Sequence, residues 1–195
     1  MILIVGLGNP GIEYKISRHN TGFIVLDYIL GNQIEWKKSS ETKALFYKDS
    51  IIKKPVLYLK PQTFMNNSGL AVSFTQNEKT KIKNENIIVV YDDIDLPLGS
   101  YKISFNRSSG GHNGLESIIK KIKSKEFVRI RVGISPTTPS GKIRKPKGEE
   151  AILKFLLGKF KEDELKELKK VSKKVSEILE MIVGEGKDKA MTLYN

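Results

Sequence analysis

The sequence predicts an α/β fold: one domain in which a twisted mixed β-sheet carries helices on both faces, an α/β/α sandwich. Three observations point there. Short apolar runs rich in β-branched residues, ILIVG at 2–6 and IIVVYDDID at 87–95, read as strands buried on both faces. Amphipathic segments of helical period alternate with such strands along the chain. The 195 residues hold no internal linker, and 39% of them are hydrophobic, enough for one core of ordinary domain size.

The elements follow in order. ILIVG is ended as a strand by Gly6. TGFIVLDYIL, 21–30, reads as a helix with Asn20 or Thr21 as the side-chain cap. ALFYKD (44–49) and VLYLK (56–60) read as strands, the second stopped by Pro61. NNSGLAVSFTQNEK, 66–79, is helical with a capping serine or asparagine. IIVVYDDID places acids at the carboxyl end of a strand, and SYKISF (100–105) alternates as a strand after LPLG. NGLESIIKKIKSK (113–125) is an amphipathic helix, and VRIRVGI (128–134) alternates as a strand. Residues 135–150, SPTTPSGKIRKPKGEE, lack periodicity and read as a mobile basic loop. AILKFLLGKF follows, and then a long helix from about Glu162 whose Leu165, Leu168, Val171, Val175, Ile178, Leu179 and Ile182 share one face. The whole span 1–195 is thus expected to be a single domain with C-terminal helices.

Composition narrows the functions. There is no cysteine, so disulfide frameworks and thiolate metal sites are excluded. Met1 leads straight into a short strand, without a basic leader or a membrane-length apolar run, and the expectation is a soluble cytoplasmic protein with no membrane partner. Lys and Arg number 34 against 22 Asp and Glu, a net charge of +12. That excess fits a polyanionic partner, nucleic acid before membrane, and fits equally a lysine-rich set of solvated faces. No long apolar face is left over, so a monomer is expected.

GLGNPG, 6–11, has the Gly-x-Gly-x-x-Gly spelling of a dinucleotide loop. A nucleotide loop needs a helix that starts within the glycines and an acid at the end of a second parallel strand. Here SRHNTG interrupts before the first convincing helix, and IEWKK offers no suitable acid. The loop instead carries Asn9 and His19 to the mouth of the sheet, where α/β proteins bind ligands. His19 precedes a helix N-terminus, whose positive end disfavours imidazolium and leaves the ring able to accept a proton. Asp92 ends a neighbouring strand and would fix the tautomer of that ring. Asn66 and Asn113 begin predicted helices, where an amide either caps the helix or offers its NH₂ to a carbonyl. With no cysteine and no Gly-x-Ser-x-Gly, activated water is favoured over a covalent intermediate. His112, after two glycines, reads as a structural or supporting residue. Asp92, Asp93 and Asp95 suggest Mg²⁺ on sight, but acids entering LPLG are better read as turn formers.

The ordered set GLGNPGIEYKISRHNTGF, PQTFMNNSG, YDDIDLPLG, SSGGHNGLESII, VRIRVGI and FLLGKF resembles bacterial peptidyl-tRNA hydrolases over nearly the whole chain. The resemblance implies a single-domain α/β enzyme that cleaves the ester between a peptide and the tRNA 3′ ribose, with no cofactor and no metal. It implies His19 as the catalytic base and Asp92 as its partner. Asn9, Asn66 and Asn113 would bind substrate, with Tyr14, Phe64 and Met65 lining the cleft. Lys102 and Arg131 would meet tRNA phosphate. Three positions depart from the family pattern. Ser17 replaces a common threonine, and Leu98 stands where a second proline is usual, implying a looser turn. Ser104 stands where some relatives have a phosphate-gripping lysine. Arg107, or the basic loop with Lys142, Arg144, Lys145 and Lys147, would have to make up that grip. The alternative of another class is a non-catalytic RNA-binding protein on the same scaffold, for which a histidine base has no use.

Overall fold

The computed structural model of the chain describes residues 1–31, 33–76 and 82–195. Seven strands form one sheet: β1 (Ile2–Gly6), β2 (Lys37–Ser39), β3 (Ala44–Ile51), β4 (Lys54–Pro61), β5 (Ile87–Pro97), β6 (Tyr101–Phe105) and β7 (Val128–Ser135). Among the described residues six α-helices accompany them: α1 (Thr21–Leu30), α2 (Ser68–Thr75), α3 (Asn113–Ile122), α4 (Glu149–Leu157), α5 (Glu162–Glu185) and α6 (Lys187–Tyr194). The strand order is β2-β3-β4-β1-β5-β7-β6. The four central strands run parallel, and β2, β3 and β6 pair antiparallel at the margins.

Strand alternation divides the core in two. Ile4, Ile88, Val90, Ile130 and Val132 pack against α1, α5 and α6. Leu3, Val5, Val89 and Tyr91 pack on the other face, against α2 and α3. Burial on both faces explains why β1 and β5 are continuous apolar runs rather than alternating ones. The same alternation sends Asp92 and Asp93, adjacent in β5, to opposite faces.

The predicted fold class and the order of the main elements match. The sequence reading missed β2, three residues long and lysine-rich, and the break at Gly186, whose φ of 97° separates α5 from α6. The helix predicted over 66–79 is a 3₁₀ turn at Met65–Asn67 followed by α2; residues 77–79 of that prediction lie outside the described residues. The basic loop ends two residues early, since α4 starts at Glu149. Within it Thr137 bridges Ile143, and the Thr138 N–H bonds the Lys142 carbonyl at 2.8 Å. In the turn at Leu98 its N–H donates to the Ser135 carbonyl at 2.8 Å, a bond that proline has no hydrogen to make.

The glycines of GLGNPG also have a packing reason. A Cβ on Gly6 would lie 2.6 Å from the Gly22 carbonyl oxygen, and one on Gly8 would lie 2.6 Å from the Phe23 ring. They let α1 close onto the end of β1. That brings the turn before α1, residues Arg18–Asn20, to the carboxyl ends of the parallel strands.

Candidate active site

His19 sits in this 3₁₀ turn, 5% exposed, beside the end of β5. Its Nδ1 lies 3.1 and 3.0 Å from the two oxygens of Asp92, which is 2% exposed. His112 reaches the same carboxylate, with Nε2 3.2 Å from Oδ1. Its tautomer follows from its other nitrogen. Nδ1 accepts the N–H groups of Gly114 and Leu115 at 3.1 and 3.3 Å, capping α3, so the hydrogen is on Nε2 and points at Asp92. His112 is therefore a helix cap and a support for Asp92 at once. With Asp92 ionised, His19 carries a hydrogen on Nδ1 directed at the carboxylate, so in the neutral ring the lone pair is on Nε2. That Nε2 makes no hydrogen bond to the described residues, and it is not among the sealed, unpartnered polar atoms.

The electrostatics are set by the same contacts. Burial alone would raise the Asp92 carboxyl, but the imidazoles of His19 and His112 hold it well below the usual carboxylate range. Burial alone would depress His19. The charge and hydrogen bond of Asp92 outweigh it and raise the ring above its ordinary 6.5. The positive helix end expected from sequence to depress the ring acts in the opposite direction, and the carboxylate in direct contact dominates it.

Asn9 is buried and pinned. Its backbone N–H and C=O bond both ends of the Asn20 side-chain amide, at 2.8 and 2.9 Å. Its own Oδ1 accepts the Met65 N–H at 2.8 Å, which leaves Nδ2 as the free donor. Asn20 thus holds Asn9 instead of capping α1, and Thr21 Oγ1 turns back to the Arg18 carbonyl. The caps expected for α2 are also not made: Ser68 Oγ bonds the Met65 carbonyl. Asn66 and Asn113 are exposed, and no side-chain bond ties either to the described residues. Phe64 is 58% exposed, and Tyr14 half-buried. Met65 lies deeper than Phe64 and Tyr14. It is 4% exposed and packs in the core beneath, where a Cβ on Gly114 would lie 2.5 Å from its sulfur.

The three acids of DDID diverge rather than converge on a cation. Asp92 meets the histidines, the Asp93 carboxylate accepts Arg131 Nε at 2.6 Å, and Asp95 pairs with Lys145 of the basic loop at 2.6 Å. One donor from each of His19, Asp92 and His112 lies within 4.8 Å of the others, a spacing open to a metal. Hydrogen bonds already account for His112 Nδ1 and for the face of each ring turned to Asp92.

Lys102 and Arg131 are directly opposed across β6 and β7, Lys102 exposed and Arg131 half-buried. Ser104 faces Arg129 two pairs along, on the same face of the ladder. Arg129 was not singled out from the sequence. It is fully buried, stacked 4.2 Å over Phe127, and it donates to the Arg107 carbonyl, so it fixes the backbone of the loop that carries Arg107. A single arginine inside an alternating strand has no signature that separates this role from a surface one.

Fold and cluster together define a class: a three-layer α/β protein with a histidine–carboxylate pair and asparagine amides at the carboxyl ends of its parallel strands. Comparison with known proteins narrows it. The family model for peptidyl-tRNA hydrolase matches residues 3–195. A peptidyl-tRNA hydrolase of Aquifex aeolicus is 41% identical over 193 residues, covering 99% of this chain and 95% of that protein. One from Thermotoga maritima is 40% identical over 194 residues, covering 100% and 97%. The crystal structure of peptidyl-tRNA hydrolase from Acinetobacter baumannii superposes with a TM-score of 0.86 at 30% identity, covering 100% of this chain and 94% of that one. The chain belongs to the peptidyl-tRNA hydrolase family.

Proposed function

We propose that this protein hydrolyses the ester joining a peptide to the 3′-terminal ribose of tRNA, with His19 as general base and water as nucleophile. The observation that carries this is the bare, solvent-reaching Nε2 of a ring whose other nitrogen is held by Asp92. Water gives a proton to Nε2 and attacks the ester carbonyl. Asp92 balances the imidazolium, which then protonates the departing ribose oxygen. The exposed amide of Asn66 donates to the oxyanion, a contribution of typically about 3–4 kcal/mol for such a donor. Asn9 Nδ2 and the Asn113 amide hold the peptide backbone, with Tyr14 and Phe64 beside it. An ester needs less leaving-group assistance than an amide, so one base and a few donors suffice.

The tRNA phosphates fall to Lys102 and Arg131, supported by Arg107 and the 142–147 loop where Ser104 has no charge. The protein acts as a cytoplasmic monomer without metal or cofactor; no described helix is long and apolar enough to cross a membrane. The test is release of tRNA from N-blocked aminoacyl-tRNA in the presence of a chelator. Turnover is expected. Tight binding without release would instead describe an RNA-binding protein.

The basic face makes its own prediction. Neutralised phosphates release counterions, so log K for tRNA should fall with log salt by roughly 0.7–0.9 per phosphate engaged. Lys102→Ala is expected to weaken binding and to lower the measured slope by about one such contact. An unchanged slope, followed by filter binding or fluorescence anisotropy, would remove Lys102 from the interface.

A further inference from the structure

We propose that Arg18 is a positioning residue for the reaction, tying the backbone that carries His19 to the joint between α4 and α5. The inference rests on the reading of His19 as the base. Arg18 is 9% exposed, and both its terminal nitrogens bond at one joint. Nη2 meets both oxygens of Glu164 at 2.7 and 2.8 Å, and Nη1 donates to the Lys159 carbonyl at 2.6 Å. The guanidinium lies 4.8 Å from the Phe155 ring of α4 and 5.1 Å from the Phe160 ring. Glu164 in turn accepts the Lys161 N–H at 2.7 Å, capping α5.

The backbones are joined as well. The Arg18 N–H donates to the Gly158 carbonyl and the Phe160 N–H to the Ile16 carbonyl, both at 2.9 Å, with Ser17 bridging Lys159 between them. The residues flanking His19 are therefore a strand-like partner of the α4–α5 joint. One guanidinium nitrogen between two carboxylate oxygens and the other on a backbone carbonyl fix the group's direction as well as its charge, and at this burial neither partner is well hydrated without the other. Arg18 and His19 share one peptide unit in a turn of three residues, so slack at Arg18 reaches the imidazole directly. Displacement of a base by about 1 Å costs up to roughly a hundredfold in rate.

The test compares Arg18→Ala, Arg18→Lys and Glu164→Gln with the parent protein in steady-state hydrolysis of N-blocked aminoacyl-tRNA across pH, with thermal unfolding in parallel. Arg18→Ala is expected to lower kcat by about ten- to a hundredfold. KM should stay within about twofold, since ground-state binding is not what is lost. The acid limb of kcat/KM should move as the ring's contact with Asp92 changes. Lysine restores only part of kcat, since a single ammonium cannot hold the Lys159 carbonyl and Glu164 in the same fixed plane. Glu164→Gln keeps an acceptor for the α5 cap and is expected to show a smaller loss of the same kind; should Arg18→Ala fail to fold, this variant decides. Parent-like kcat and pH profile in the folded variants, or a loss confined to KM, would overturn the proposal. His19→Ala run alongside separates the two failures: an active His19→Ala removes the base itself, whereas an inactive one with unaltered Arg18 variants removes only the positioning role.

Discussion

His19→Ala is expected to lower kcat by about two to four orders of magnitude while leaving the protein folded and its tRNA affinity in place. The imidazole keeps a nitrogen without a hydrogen-bond partner among the described residues and a carboxylate fixed behind it, and the basic residues assigned to tRNA lie elsewhere, on β6, on β7 and in the 142–147 loop. Its removal leaves Asp92 with His112 still donating at 3.2 Å, so the buried carboxylate keeps a partner. Single-turnover release of tRNA, with binding measured on the same preparation, checks both halves. Retained turnover would exclude His19 as the base.

Asp92→Asn is the second large effect, about two to four orders of magnitude in kcat, in the range seen when a carboxylate orienting a catalytic histidine is amidated. The physical reason lies in what the side chain offers. Two imidazoles direct hydrogens at the carboxylate, which accepts both. An amide has one oxygen and one NH₂. With the oxygen turned to His112, whose tautomer is fixed by the α3 cap, the NH₂ meets His19 Nδ1 and forces the hydrogen onto Nε2, the nitrogen that must take a proton. With the oxygen turned to His19, the amide opposes the Nε2–H of His112 and strains the cap. Either outcome costs activity, and only the first leaves α3 intact. The acid limb of any residual activity should move down in pH, because burial then acts on His19 without the carboxylate that raises it. A residual rate with an unshifted limb would contradict this.

Much of the frame was legible because its signals are local. The apolar runs of β1 and β5 reflect burial on both faces, and the period of α5 reflects one buried face; each is written in a short window. His19 and Asp92 were legible because strand ends and helix starts gather at one edge of a parallel sheet. What was misread depends on partners distant in sequence. Asn20 looks like a cap and instead holds Asn9. Arg18 stands beside a residue that drew attention, yet its partner Glu164 is 146 residues away. The sign of the His19 shift was wrong for the same reason: the helix end was visible in the sequence, and the distance to Asp92 was not.

The central claim is a neutral His19 with its hydrogen on Nδ1 and its Nε2 free for water. Its most direct test is a ¹H–¹⁵N titration of the labelled histidine rings. Expected is a His19 transition above 6.5 and, on its alkaline side, a protonated Nδ1 with a bare Nε2. A neutral form with the hydrogen on Nε2, or a transition below 6.5, would contradict the assignment.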